Sequence, residues 1–332
     1  METDLLFKQF KHKRIAIVGD VMLDAYLIGG VTRISPEAPV PIVGLSKKEN
    51  RLGGAANVAL NIVSLGAQAV ICSVVGNDVE GGELIELFEK EGVSAEGIIQ
   101  SHDRKTTVKT RVIGNNQQLL RIDSEQTNNI STSEETALIT KIDALIESGV
   151  DAVIFEDYNK GVLTPTLIAS VLKKCKEKII PTTVDPKKDN FFAYKGVTLF
   201  KPNLKELKEG LNLSFSIQDR SAFENAVSDL EAKLENENTF ITLSEHGVFI
   251  KSKTEKHYIP AHIRNIADVS GAGDTVISVA TLCLTAGLPL FQVAAFANLA
   301  GGLVCEKSGV VSIEKEQLAQ EIRLLETENI GE

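Results

Sequence analysis

Short β-branched runs recur along this chain at Arg14–Val18, Ala69–Val75, Asp151–Phe155, Ile179–Val184, Val197–Phe200 and Thr239–Leu243, and each predicts a buried strand. Between them, apolar residues return every three or four positions. Ala55–Leu65 carries Val58, Ile62 and Leu65 on one helical face, and Gly82–Glu91, Leu167–Lys174 and Ala222–Leu234 also predict helices. Strand and helix in alternation predict an α/β fold with a mostly parallel sheet covered on both faces.

Two places break that rhythm. Val40–Leu45, and the pair Thr107–Ile113 and Gln118–Ile122 joined through Gly114-Asn115-Asn116, read as half-buried antiparallel strands with no helix between them. A small projecting sheet, with segments near 21–45 and 106–123, accounts for them. No repeat, low-complexity tract or long linker interrupts the chain, so residues 1–332 are expected to form one domain. Thr275–Cys305 has no charged residue and is long enough to suggest a membrane span. Ala286-Gly287-Leu288-Pro289 divides it, and Gln292 and Asn298 are polar, so two buried helices are expected instead.

Composition narrows the function classes. With 43% hydrophobic and 24% charged residues the chain reads as an ordinary soluble protein. Its net charge of −10 argues against sequence-independent binding of nucleic acid, which needs clustered Lys and Arg. Cys72, Cys175, Cys283 and Cys305 form no C-x-x-C pair, and buried free thiols are expected. Met1–Arg14 is charged and lacks the apolar core of a signal peptide, so a cytoplasmic location is expected.

The densest chemistry lies in Asp268-Val-Ser270-Gly271-Ala272-Gly273-Asp274-Thr275. Three small residues before a helix let backbone N–H groups converge where the helix dipole also attracts anions. Asp274 sets a carboxylate beside that place. It could cap the helix, or it could take a proton from an attacking hydroxyl in phosphoryl transfer. Other groups also allow two readings. Gly53-Gly54 before Asn57 could open a helix or let a sugar approach the backbone. Asp24 could be a turn residue or a hydroxyl acceptor. Glu206, three residues after Asn203, suits a helix start, or it could order water around Mg²⁺. There is no Gly-x-x-x-x-Gly-Lys-Ser/Thr, so this is not a P-loop kinase.

The Gly-Ala-Gly-Asp run resembles the C-terminal motif of the ribokinase-like (PfkB) sugar kinases. Gly53-Gly54-Ala-Ala-Asn57, Gly19-Asp20-Val-Met-Leu-Asp24 and Pro202-Asn203-Leu-Lys-Glu206 resemble further motifs of that family, in family order. The resemblance implies a ribokinase-like, doubly wound fold with a β lid over the sugar that often doubles as a dimer interface, here a homodimer. It implies ATP and Mg²⁺, with Asp274 as base and the amides of Gly271, Ala272 and Gly273 as an anion hole. Asp24, Gly53, Gly54 and Asn57 would bind the sugar. Lys187, Asn203, Glu206, Thr242, Ser244, Gly247 and Asn298 would lie along the nucleotide, with Glu206 reaching Mg²⁺ through water. Asp268 and Ser270 resemble a monovalent-cation (K⁺) site, and could equally be turn and capping groups.

Four segments, 33–41, 116–123, 157–161 and 185–187, resemble the kinase part of bacterial bifunctional heptose-phosphate enzymes. That resemblance implies phosphorylation of D-glycero-β-D-manno-heptose 7-phosphate at O1, on the route to ADP-heptose and lipopolysaccharide. A sugar 7-phosphate would want cationic partners. Arg33, Lys109, Arg111, Arg121 and Lys160 are candidates, and each could instead be a solvent-facing charge on an edge strand. The His-x-Gly-His motif of the nucleotidyltransferase part is missing, so adenylyl transfer is expected to need a separate protein. The alternatives are another sugar kinase of the same family, for fructose, ribose or a sugar phosphate, and a non-catalytic sugar-binding regulator.

Overall fold

Along β1 (Arg14–Gly19), Ile15 and Ile17 enter one hydrophobic core while Ala16 and Val18 enter another. That period-two split is what a strand buried on both faces requires. The structure, a computed structural model, describes residues 3–262 and 264–328. β4 (Gln68–Gly76), β8 (Ala152–Glu156), β9 (Thr182–Asp185) and β11 (Asn238–Thr242) are predicted strands. β10 keeps only Leu199–Phe200 of its predicted run.

Together with β5 (Ser94–Ser101), β12 (Val248–Lys251) and β13 (Lys256–Ile259), they form a nine-stranded sheet in the order β13-β12-β11-β10-β9-β8-β1-β4-β5. All neighbours from β5 to β11 pair in parallel, and β12 and β13 are antiparallel at one edge. From β1 the chain winds outward through β4 to β5, then restarts at β8 on the other side of β1. The strand order therefore reverses between β1 and β8. In doubly wound sheets such a reversal opens a crevice at the carboxyl ends of the strands.

One face is covered by α1 (Thr3–Phe10), α2 (Ala55–Ser64), α3 (Val79–Lys90), α8 (Ala272–Thr285), α9 (Leu290–Cys305) and α10 (Lys315–Glu328). The other is covered by α4 (Thr132–Ser148), α5 (Pro165–Lys178), α6 (Leu204–Leu211) and α7 (Arg220–Leu234). The uncharged stretch forms α8 and α9, both largely buried in the first core. Among the described residues no helix is long and apolar enough to cross a membrane. All four cysteines are buried and free.

The second sheet has the order β3-β2-β6-β7, from β2 (Val21–Ile34), β3 (Pro41–Gly54), β6 (Val108–Gly114) and β7 (Gln117–Ser124). Asn115 and Asn116, both at positive φ (52° and 64°), make the tight turn between β6 and β7. The sheet is larger than its pattern predicts. β3 continues past Leu45 to Gly54, and residues 21–34 form a long strand. Ser46–Lys48 in β3 is exposed, and with no face to bury it carries no apolar alternation. α4 also escapes the hydrophobic reading, although Ser131 and Glu134 form a reciprocal capping box at its start.

Candidate active site

Asp274 is the third residue of α8, and it does not cap that helix. The cap position is Gly271, in the left-handed region at φ 81°, and no side chain caps the helix there, while the Ala272 N–H donates to the carbonyl of Val269 at 3.3 Å. The carboxylate turns sideways. Asn57 Nδ2 donates to Asp274 Oδ2 at 2.7 Å, and the Tyr158 hydroxyl donates to Oδ1 at 2.8 Å. Two packed helices set this geometry. Ser278 of α8 bonds to the carbonyl of Val58, and Thr275 bonds to Asn61, whose own amide donates to the carbonyl of Asn57. Burial pushes the Asp274 carboxyl up to about 6, with nearby Asp185 adding to the rise and the Asn57 and Tyr158 bonds opposing it. The carboxyl is thus buried and held above the usual carboxylate range.

The parallel strands deliver the neighbouring charges from their carboxyl ends. β8 ends in Glu156, β9 in Asp185, and Lys201 follows β10. Glu156, Asp185 and Asp274 each bring an oxygen to within 4.8 Å of the others. Lys201 Nζ lies 2.7 Å from Asp185 Oδ2, and Lys187 Nζ lies 3.5 Å from Oδ1. Burial works against the Asp185 charge, but the two ammonium groups outweigh it and hold the carboxyl low. Glu156 makes no direct ion pair among the described residues, and the same two ammonium groups only partly offset the rise of its carboxyl. Burial, then Asp185 and Asp274, raise its carboxyl well above the usual range. These oxygens are hard donors of the kind Mg²⁺ takes, and Glu156 Oε2 is buried without a hydrogen-bond partner, so the residues fit a divalent cation.

A loop after β8 closes one side. Asp20, just beyond β1, accepts the backbone N–H groups of Tyr158, Lys160 and Val162, each at 3.0 Å. These three hydrogen bonds place the Tyr158 ring and so its hydroxyl. Above lies the junction of the two sheets. A Cβ on Gly53 would come 2.4 Å from Asp24 Oδ2, so any side chain there would displace that carboxylate. Gly54, at φ 62°, turns the chain from β3 into α2 and brings Asn57 under Asp274. Arg111 Nη1 donates to Asp24 Oδ1 at 2.5 Å. Arg111 and Arg51 both lie against the Tyr26 ring, with guanidinium carbons 5.3 and 4.7 Å from its centre.

The predicted nucleotide residues form a strip leading away from the carboxylates. Lys187 reaches Glu206 Oε1 at 2.5 Å, Glu206 Oε2 accepts from the Asn203 N–H, and Asn203 bridges in parallel to Thr242. Beyond Thr242, Ser244 and Gly247 make the turn into β12. Gly247 sits at φ 84°, and a Cβ there would come 2.0 Å from the carbonyl oxygen of Ile259, so only glycine fits. Asn298 of α9 donates to the carbonyl of Pro260 at 2.8 Å, which brings it to the same edge.

Other expected residues have different surroundings. Both Glu206 oxygens accept a hydrogen bond, one in the cap of α6 and one from Lys187. Asp268 accepts N–H groups from Ser270 and Gly309, which holds it below the usual carboxylate range and ties two loops together. The Lys160 ammonium pairs with Glu125 at 2.7 Å. Arg121 is exposed and bonded to Asp123. Arg33 is exposed on the outer half of β2, and Lys109 is half-buried opposite Asp24 in the β2–β6 register. Only Arg111 of the five cations contacts Asp24. Glu156, Tyr158, Lys201 and Arg51 were not expected at the site. Tyr158 and Glu156 sit in or beside the 157–161 segment, Asp20 beside Gly19 and Lys201 beside the Pro202–Glu206 motif, so their signal was local; Arg51 lies outside the motifs.

A family model described as "pfkB family carbohydrate kinase" matches residues 12–317. Two relatives are each named "Bifunctional protein HldE". That of Citrifermentans bemidjiense is 38% identical over 322 residues, covering 97% of this chain and 66% of the relative. That of Methylobacillus flagellatus is 40% identical over 309 residues, covering 93% and 63%. The chain thus spans a little under two thirds of the curated relatives' length. Among solved structures, phosphofructokinase-2 from Escherichia coli in complex with fructose-6-phosphate superposes with a TM-score of 0.75 at 18% identity, covering 94% of this chain and 98% of that one. Arabidopsis thaliana ribokinase complexed with ribose and ATP gives 0.70 at 15% identity, covering 93% and 98%. These two likenesses establish the shared fold. With the family model matched over most of its length, the chain belongs to the pfkB family of carbohydrate kinases, phosphotransferases that act on a sugar.

Proposed function

We propose that this chain transfers the terminal phosphoryl group of ATP to O1 of D-glycero-β-D-manno-heptose 7-phosphate, giving the 1,7-bisphosphate for ADP-heptose and lipopolysaccharide synthesis. The observation that carries the reaction is the buried Asp274 carboxylate, fixed by Asn57 and Tyr158 beside the uncapped start of α8. Asp274 takes the proton of the attacking hydroxyl. The amides of Gly271, Ala272 and Gly273 face the charge on the transferring group, and Lys187 and Lys201 add positive charge on the Asp185 side. A divalent cation, when bound, neutralises phosphate charge. Asp24, Gly53 and Asn57 line the sugar side, and the nucleotide lies along the strip from Lys187 to Asn298. The choice of heptose rests on the segments around residues 33–41, 116–123, 157–161 and 185–187 and on similarity to proteins named HldE.

The test is ADP release with heptose 7-phosphate set against fructose, ribose, fructose 6-phosphate and unphosphorylated heptose. A cation reading the 7-phosphate, Arg111 foremost, contributes about 1.5–3 kcal/mol, or roughly a ten- to hundredfold preference in kcat/KM for the phosphorylated heptose. Equal values for the two heptoses would end the heptose-phosphate reading while leaving a sugar kinase. A preference for fructose 6-phosphate or ribose would favour the second reading, another kinase of the same family.

The second sheet exposes Ile34, Leu45, Leu120 and Ile122, and every residue of its edge strand β7 is exposed. A second copy of the chain covering that apolar edge gives a homodimer through the lid. Sedimentation at micromolar concentration is expected to give a dimer, and Leu120→Lys with Ile122→Lys a monomer. A wild-type monomer with and without substrate would rule the dimer out.

A further inference from the structure

Arg104 lies between β5 and β6, outside the motifs of the chain, and is only 9% exposed. Its guanidinium donates to three backbone carbonyls: Nη1 to Asn128 at 2.8 Å, and Nη2 to Gln126 at 3.1 Å and to Lys160. A buried cation needs such partners, and the planar fork of Arg supplies several donors at fixed angles. Burial works against the charge, with Asp20 and then Glu134 opposing that effect. Asp20, itself 1% exposed, grips the same loop with the opposite polarity, through the N–H groups of Tyr158, Lys160 and Val162. Lys160 is thus tied at its N–H to the carboxylate and at its carbonyl to the guanidinium. The loop needs this hold. Asn159 and Gly161 sit at φ 52° and 88°, in the left-handed region that few residues favour, and a Cβ on Gly161 would come 2.1 Å from the Asn128 carbonyl oxygen. The root of Arg104 is itself fixed. The Thr106 N–H and hydroxyl donate to Asp78 at 2.9 and 2.6 Å, and the Thr106 hydroxyl oxygen accepts the N–H of Gly76 at the end of β4. The N–H of Leu23 in β2 donates to the Thr107 carbonyl.

We propose that Arg104 is a positioning residue of the active site: with Asp20 it clamps the loop 157–162 between opposite charges, and so holds the Tyr158 hydroxyl on the Asp274 carboxylate. The path is short. It runs from the guanidinium through the Lys160 carbonyl and two residues of backbone to the Tyr158 ring, whose hydroxyl donates to Asp274 Oδ1 at 2.8 Å. Without Arg104 three carbonyls lose their donor, and the loop is free to turn Tyr158 away from the carboxylate. The same segment runs on into β6, which carries Arg111 to Asp24, so one stretch of chain serves both the sugar side and the base. The effect on turnover rests on the phosphoryl-transfer reading; the clamp itself does not. The competing account makes Arg104 a bolt between segments 126–129 and 157–162, which serves stability and has no bearing on Tyr158.

Hydrogen exchange read by mass spectrometry, on the full chain without ligands, tests the clamp. The amides of residues 158–162 are expected to exchange roughly 10–100-fold faster in Arg104→Gln than in wild type, the range of one charged hydrogen bond, with α7 and α9 unchanged. Arg104→Lys keeps the charge but not the fork and should fall between the two, and it takes the place of a Gln variant that does not fold. Circular dichroism and melting temperature establish folding. Turnover tests the consequence, as ADP release with heptose 7-phosphate or whichever sugar the panel above selects. Arg104→Gln should lower kcat by about tenfold or more and leave KM for ATP unchanged. In a Tyr158→Phe background the same substitution should cost almost nothing further, since the hydroxyl it positions is gone. Losses that multiply in the double variant, or unchanged exchange at residues 158–162 in a folded Arg104→Gln, would overturn the proposal in favour of the bolt. The two readings fail separately. Faster exchange and a coupled loss of kcat on another sugar uphold the clamp and remove the heptose reading. Phosphorylation of heptose 7-phosphate with kcat unchanged in Arg104→Gln does the reverse.

Discussion

Asp274→Asn is expected to reduce kcat by about 10²–10⁴-fold, the usual contribution of a general base, or roughly 3–5 kcal/mol of barrier. The loss should fall on kcat rather than on binding. The asparagine amide can direct its oxygen to Asn57 Nδ2 and its NH₂ to the Tyr158 hydroxyl, which can turn to accept. Both contacts of the native carboxylate, at 2.7 and 2.8 Å, then survive in altered polarity. The backbone amides proposed to meet the phosphoryl group are untouched. Calorimetric titration with sugar and with ATP analogue should therefore give dissociation constants within a few fold of wild type, while coupled ADP release nearly stops. Near-normal turnover in a folded Asn variant would remove Asp274 from the role of base and return it to a structural one.

Gly273→Val carries the second-largest expected effect. The Cβ position of Gly273 is 3.3 Å from Asp185 Oδ2 and 3.7 Å from Lys201 Nζ. The two valine methyl groups would extend into the gap between the helix start and those charged groups, where a transferring phosphoryl group must reach the amides. Losing one such donor typically costs about 10²–10³-fold in kcat. Helix propensity is a minor matter, since valine is no worse than glycine within a helix. Gly273→Ala places one carbon at a tight 3.3 Å contact and should give a smaller loss. Circular dichroism and melting temperature check the fold, and steady-state kinetics the activity. A folded, fully active Val variant would sink the anion hole.

Local features of this chain are legible in its residues alone. Eight consecutive residues, 268–275, encode both a helix start without a side-chain cap and a carboxylate beside it, because neighbours in sequence on a helix turn are neighbours in space. The parallel sheet is legible for the same reason. Burial on both faces writes itself as short apolar runs at Arg14–Val18 and Asp151–Phe155. The lid is half legible. Its Asn115-Asn116 turn is local chemistry, whereas Ser46–Lys48 faces solvent and leaves no hydrophobic pattern to read.

What the tertiary structure alone decided is which residues meet. Asn57 and Asp274 are 217 positions apart and touch because α2 and α8 pack on one face of the sheet. Glu156 and Asp185 come to the same place because β8 and β9 are parallel neighbours whose ends lie level, Glu156 opposite Asp185. Parallel strands are joined by crossovers, so residues at their ends are always distant in sequence, and no spacing rule links them. The same packing gave the ambiguous side chains their partners. Asp274 is not a cap, because Asn57 and Tyr158 hold it sideways, and both oxygens of Glu206 are drawn to its own helix start and to Lys187. A side chain's type limits what it can do; its partners, fixed by long-range packing, select among those possibilities.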